Sequence, residues 1–109
     1  MELFLYLYRM RIVAKSTLKE FWETYTDSKI GLLSWYEQMK NEEFETPQEV
    51  ILNFKGADFV GNNRIVFNIA KNKYRLIVSF NFTFKACYIK FVGTHKAYDK
   101  IDAKTVEIY

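Results

Sequence analysis

Arg75, His95, Tyr98 and Asp99 are the residues of this 109-residue chain best suited to chemistry. Imidazole titrates near neutral pH, so it can take or give a proton without much tuning. A guanidinium presents a fixed fork of donors that suits a phosphate. A phenol can stack on a base or hydrogen-bond to phosphate. Arg75 falls inside a strand-like run, on its less apolar phase. His95 follows Gly93-Thr94 at the end of another such run, with Lys96, Tyr98 and Asp99 beside it. This combination fits cleavage of RNA. The 2′-OH attacks the adjacent phosphorus once a base takes its proton, an acid protonates the leaving 5′-oxygen, and cations hold the charged phosphorane. That route requires no metal, and DNA lacks the hydroxyl it uses. Each residue also has a plainer reading. Arg75 could pair with a surface carboxylate, His95 could be structural, and Tyr98 could pack the turn. Asp99 could either orient His95 or cap the following segment.

The elements that must position these groups follow from periodicity. From Arg64 onward apolar residues recur every second position. Ile65, Phe67 and Ile69 alternate with Arg64, Val66 and Asn68. Leu76, Val78 and Phe80 alternate with Arg75, Ile77 and Ser79. Cys87, Ile89 and Phe91 alternate with Tyr88, Lys90 and Val92. Lys71-Asn72 falls between the first two runs, where Asn tolerates the positive φ of a tight turn. Asn81–Thr83 joins the next two. Short connections predict an antiparallel meander with one apolar face on the helices. The other face is expected to hold Arg64, Asn68, Arg75, Tyr88 and Lys90. RNA contacts are expected from Arg64, Asn68, Lys71, Lys73, Lys90, Lys96 and Asp99, although Lys71 and Lys73 could equally be solubilising turn residues.

The first half reads as helical. Arg11–Lys15 suits a short strand. Thr17 and Glu20 have capping-box spacing, which predicts a helix from Ser16 or Thr17. Leu18, Phe21, Trp22 and Tyr25 then form one apolar stripe, and Leu32, Trp35, Tyr36 and Met39 form a second after a break at Asp27–Gly31. Thr46-Pro47-Gln48-Glu49 predicts a third helix, with Thr46 as cap, Pro47 in the first turn and Gly56 near its end. The fold class is α+β, with N-terminal helices packed on one face of an antiparallel sheet.

Composition narrows the class. The length suits one domain over residues 1–109, and the 50% hydrophobic, 18% aromatic composition suits a globular chain rather than a disordered one. Residues 1–63 carry seven Lys/Arg against ten Asp/Glu, net −3. Residues 64–109 carry nine against three, net +6, so the basic surface belongs to the second half. The lone Cys87 excludes an internal disulfide, argues for a reducing, cytoplasmic compartment and reads as a small core residue. One Cys and one His make a zinc site of those ligands untenable. No cofactor is expected. The start MELFLYLYR is apolar but too short to span a bilayer, and it lacks the charged region and cleavage site of a signal peptide. Its alternation suits a strand. A second reading starts the protein at Met10 and makes residues 1–9 an extension.

RIVFNIAKNKYRLIV, then FVGTHKAYDKI, together with the opening MRIVAKSTLKEFW, resemble the HigB-type toxins of bacterial toxin–antitoxin systems, within the RelE-like superfamily. The resemblance runs from about Met10 to Lys104. It implies a RelE-like fold and metal-free, ribosome-dependent cleavage of mRNA. It also implies inhibition by a cognate helix-turn-helix antitoxin of the HigA type, with operator DNA bound only through that antitoxin and no membrane partner. Arg75 stands where the superfamily's catalytic strand arginine is expected, and His95 and Tyr98 where its C-terminal catalytic residues cluster. Relatives commonly carry glycines where Ala70-Lys71 stand. The competing readings are a non-catalytic RNA- or ribosome-binding module and a protein-interaction domain whose basic face receives an acidic partner.

Overall fold

The computed structural model describes residues 9–108, so the strand-like alternation before Arg9 lies outside the described residues. Strand β1 (Arg11–Val13) leads into helix α1 (Lys15–Thr24), a 3-10 turn (Thr26–Ser28), helix α2 (Lys29–Asn41) and helix α3 (Pro47–Asn53). Strands β2 (Asp58–Gly61), β3 (Arg64–Ile69), β4 (Tyr74–Asn81) and β5 (Ala86–Thr94) follow, and the short helix α4 (His95–Tyr98) closes the order. The sheet order is β1-β5-β4-β3-β2. β3 to β5 form the expected antiparallel meander, β2 adds a further antiparallel strand beside β3, and β1 lies parallel beside β5.

Local signals explain most of the helical half. Thr46 caps α3: its side chain accepts from the Glu49 N–H, and Glu49 reaches back to the Thr46 N–H. Leu18, Trp22, Leu32, Trp35, Met39 and Val50 are buried in the main core between helices and sheet. Two expectations need correction. Thr17 does not cap α1; Ala14 occupies that position, and its carbonyl accepts from the Thr17 N–H, which places Thr17 inside the first turn. Gly31 does not break the chain but sits within α2. A Cβ there would stand 2.9 Å from the Ile69 side chain, so glycine lets this helix approach the sheet.

β2 and its turn escaped the periodicity reading. Asn62 and Asn63, both at positive φ, join β2 to β3. Two such residues make the left-handed two-residue turn that matches strand twist, so the signal was present in Gly61-Asn62-Asn63.

The second face of the sheet is not open. Val66, Ile77 and Phe91 form a separate buried cluster, covered by Val60, Ala97, Tyr98, Ile101, Ala103 and Val106. The C-terminal segment therefore crosses the face expected to be polar. A β-bulge contributes to this. Val78 pairs with Ile89 but Ile77 pairs with Phe91, which leaves Lys90 as an extra residue in β5. A one-residue slip reverses the faces. Hence Phe91 lies with Val66 and Ile77, while Val92 joins the helix-side core.

The β3–β4 turn holds Ala70, Lys71 and Asn72 all at positive φ. Asn tolerates this region, whereas Ala and Lys lose about 1–2 kcal/mol each in it. Ala70→Gly removes that cost but adds about 0.5–1 kcal/mol of backbone entropy. The expected result is a net gain of a few tenths to about 1 kcal/mol, read as a melting temperature a few degrees higher.

Candidate active site

The end of the sheet where β4 starts and β5 finishes gathers the groups singled out in the sequence. Arg75 pairs with Gly93 and Tyr74 with Thr94 across the ladder. A Cβ on Gly93 would fall 2.6 Å from the Phe91 ring, so the ring lies over that glycine. Thr94 ends β5 and caps α4, its hydroxyl accepting from the Ala97 N–H at 3.0 Å. That cap turns the chain within one residue and sets His95 at the sheet rim. The His95 N–H donates to the Lys73 carbonyl at 3.2 Å, tying α4 to the β3–β4 turn.

Four side chains meet here in two pairs. His95 Nδ1 lies 3.2 Å from Asp99 Oδ2, one helical turn on. Both side chains are more than half exposed. The Arg75 guanidinium lies over the Tyr98 ring, 5.8 Å from its centroid, and Arg75 Nη1 donates to the Asn72 carbonyl at 2.8 Å. Nη2 and Nε have no hydrogen-bond partner among the described residues. Tyr98 also packs against Phe91, with ring centroids 6.4 Å apart, so it serves the core and the rim together. The arrangement offers an imidazole oriented by a carboxylate beside a guanidinium fixed by a carbonyl and an aromatic face. It can move a proton and bind a phosphate at adjacent points.

The other expected RNA contacts divide. Lys71 and Lys96 are exposed near this rim. Asn68 pairs with Arg75 in the ladder, and its amide donates to the Gly56 carbonyl at 3.1 Å. Lys73 is exposed, but its ammonium pairs with Asp27. Asp99 faces His95 rather than standing as a separate contact. Arg64 and Lys90 are corrections. Arg64 is only 3% exposed beneath the C-terminal segment. It donates to the Ala103 and Val106 carbonyls and pairs with Glu107 at 2.6 Å. Lys90 pairs with the same carboxylate at 2.8 Å. Both cations hold the tail on the sheet through Glu107, Arg64 from a buried position and Lys90 from a part-exposed one.

Asp27 had no signal in the sequence. It lies in the 3-10 turn yet bonds both Lys73 and the Tyr74 hydroxyl, the latter at 2.5 Å. It thereby anchors the segment whose carbonyl receives the His95 N–H. The hydrogen bond from Lys73, then that from Tyr74, holds the Asp27 carboxyl below the usual carboxylate range. The same contact raises the Lys73 ammonium and the Tyr74 phenol. A depressed folded pKa gives stability that is present above the unfolded value, about 4, and lost as pH falls through the folded value. The raised pair gives stability that is complete below about 10 and lost above it. Asp27→Asn is therefore expected to lower the melting temperature at pH 7, with the difference from the unmodified protein shrinking below pH 4. Thermal scans at pH 7 and pH 3 check this; an equal difference at both values would contradict it.

The mostly antiparallel sheet with helices on one face is that of a RelE-like fold. Residues 28–101 match the family described as HigB_toxin, the RelE-like toxic component of a toxin–antitoxin system, and the chain belongs to that family. A cognate antitoxin is accordingly its partner. The chain is 31% identical over 94 residues to the mRNA interferase HigB of Escherichia coli O6:H1, covering 84% of this chain and 91% of that relative. It is 29% identical over 96 residues to the mRNA interferase toxin HigB of Escherichia coli K12, covering 83% and 88%. The mRNA interferase HigB of Shigella flexneri matches to the same extent. No helix among the described residues is long and apolar enough to cross a membrane.

Proposed function

We propose that this toxin is an endoribonuclease that cuts mRNA on the ribosome, in the cytoplasm, and so blocks translation. The observation that carries the reading is the His95–Asp99 pair set beside the Arg75–Tyr98 stack at one rim of the sheet. Relatives named as mRNA interferases support the same reaction. His95 accepts the proton of the RNA 2′-OH or supplies one to the leaving 5′-oxygen. The 2′-oxygen bonds to phosphorus as the P–O5′ bond breaks, leaving a 2′,3′-cyclic phosphate and a 5′-hydroxyl. Arg75 binds the phosphorane oxygens, Tyr98 supports the guanidinium and offers a face to a base, and Asp99 orients the imidazole. Lys71 and Lys96 steer the RNA backbone toward the rim. His95 serves one of the two proton transfers and Arg75 the charge on the phosphorane, while the other proton is exchanged with solvent water. The partner is a helix-turn-helix antitoxin through which operator DNA is bound.

Induced expression in bacteria tests the reading. Growth arrest with mRNA ends mapped inside translated frames is expected. A message with a 2′-deoxy sugar at the cut position should resist cleavage on isolated ribosomes. Arrest without new RNA ends, or cleavage of the deoxy position, would overturn it. RNA binding with no cleavage product would favour a non-catalytic module on the same rim.

A further inference from the structure

A second surface lies at the opposite end of the sheet. The β4–β5 turn carries Phe84, a residue 76% exposed. Phe84, Ile12 of β1 and Tyr36 of α2 line a groove of about 390 Å³. Arg11, Lys40 and Lys85 line it as well. Of these three cations only Lys85 has an acidic partner among the described residues, Glu45 at 3.9 Å. Lys15 and Lys40 also lie over the Tyr36 ring, 4.9 and 5.8 Å from its centroid. The eight residues of β4 separate this groove from the His95 rim, roughly 23 Å at strand rise.

We propose that the groove receives an acidic amphipathic segment of the cognate antitoxin. A groove lined by apolar side chains and cations together is the complement of a segment with apolar side chains on one side and carboxylates on the other. RNA is the weaker match. The Tyr36 ring already carries two ammonium groups and Ile12 offers no stacking face, which leaves Phe84 as the single lining ring open to a base. The strand length between groove and rim means that the antitoxin holds the toxin here without having to occupy the RNA-cleaving rim. The inference rests on the family assignment, not on the cleavage reading.

The test uses the full chain and the antitoxin encoded beside it. Phe84→Ser and Lys40→Glu change exposed or half-exposed groups, so folding is retained and is checked by circular dichroism. The double variant is expected to weaken antitoxin binding on the order of 30-fold by calorimetry. Binding by the unmodified chain should weaken as salt rises. In cells the variant should still arrest growth but escape rescue by the antitoxin. Affinity within twofold of the unmodified chain would overturn the proposal. So would a folded variant that loses ribosome or RNA association while keeping the antitoxin, or one whose only change is loss of self-association. Calorimetry reads binding directly, so the result stands apart from whether the rim cleaves RNA.

Discussion

His95→Ala and Arg75→Ala are each expected to lower mRNA cleavage on ribosomes by about 10²–10³-fold, with melting temperatures within a few degrees of the unmodified protein. His95 is exposed at the sheet rim, and Arg75 is half-buried at its edge, so neither truncation opens the core. What each removes is chemical. Without His95 no imidazole stands at the 2′-OH or the leaving oxygen. Without Arg75 the phosphorane loses a donor fork already fixed by the Asn72 carbonyl and the Tyr98 face. Arg75→Lys should recover only a small part of the rate, because an ammonium offers a point charge instead of a planar fork. Asp99→Asn should cost less than His95→Ala, since it changes the orientation of the imidazole and leaves the ring in place. Mapping and counting RNA ends after a fixed reaction time measures all four variants. Cleavage by both alanine variants at the unmodified rate would remove this rim from the mechanism.

Arg64→Ala is expected to act in the opposite manner, costing about 2–3 kcal/mol of stability and changing RNA affinity little at the rim. Its guanidinium is buried and is shared between the Ala103 and Val106 carbonyls and Glu107. Truncation leaves buried carbonyls without a donor and loosens the segment covering Val66, Ile77 and Phe91. Glu107 is 57% exposed, so its lost ion pair adds little to that cost. Lys90, then Arg64, keeps the Glu107 carboxyl below its ordinary value. The tail contact is therefore present above about pH 4.5 and weakens as pH falls through that lower value. Chemical denaturation together with RNA titration separates the two roles. A stable variant with weakened RNA binding would return Arg64 to the contact surface.

Features made by neighbouring residues were legible in the chain. The Thr46–Glu49 cap, the two helical stripes and the alternation of β3 and β4 each depend on groups within one or two turns of one another. The His95–Asp99 pair belongs with them, because four residues of helix bring those side chains to one face. The Thr17–Glu20 cap failed although its spacing was right, because the chain enters α1 from β1 at Ala14 and buries the motif inside the first turn.

The sequence by itself determined the fold class, the basic second half and the residue types available for RNA chemistry. Tertiary structure alone decided which of the cations could reach RNA. The bulge at Lys90 reversed the faces of β5 through a slip that no residue type announces. The C-terminal segment then took Arg64 and Lys90 as its anchors, while Asp27 took Lys73 from 46 residues away. Arg75 and Tyr98, 23 positions apart, meet only because the ladder pairs Arg75 with Gly93 and Thr94 turns the chain back at the rim. Local periodicity fixes where a side chain points along its own element. Pairing register and the course of the tail are long-range choices, set by the burial of Val66, Ile77 and Phe91, and they leave no short-range mark.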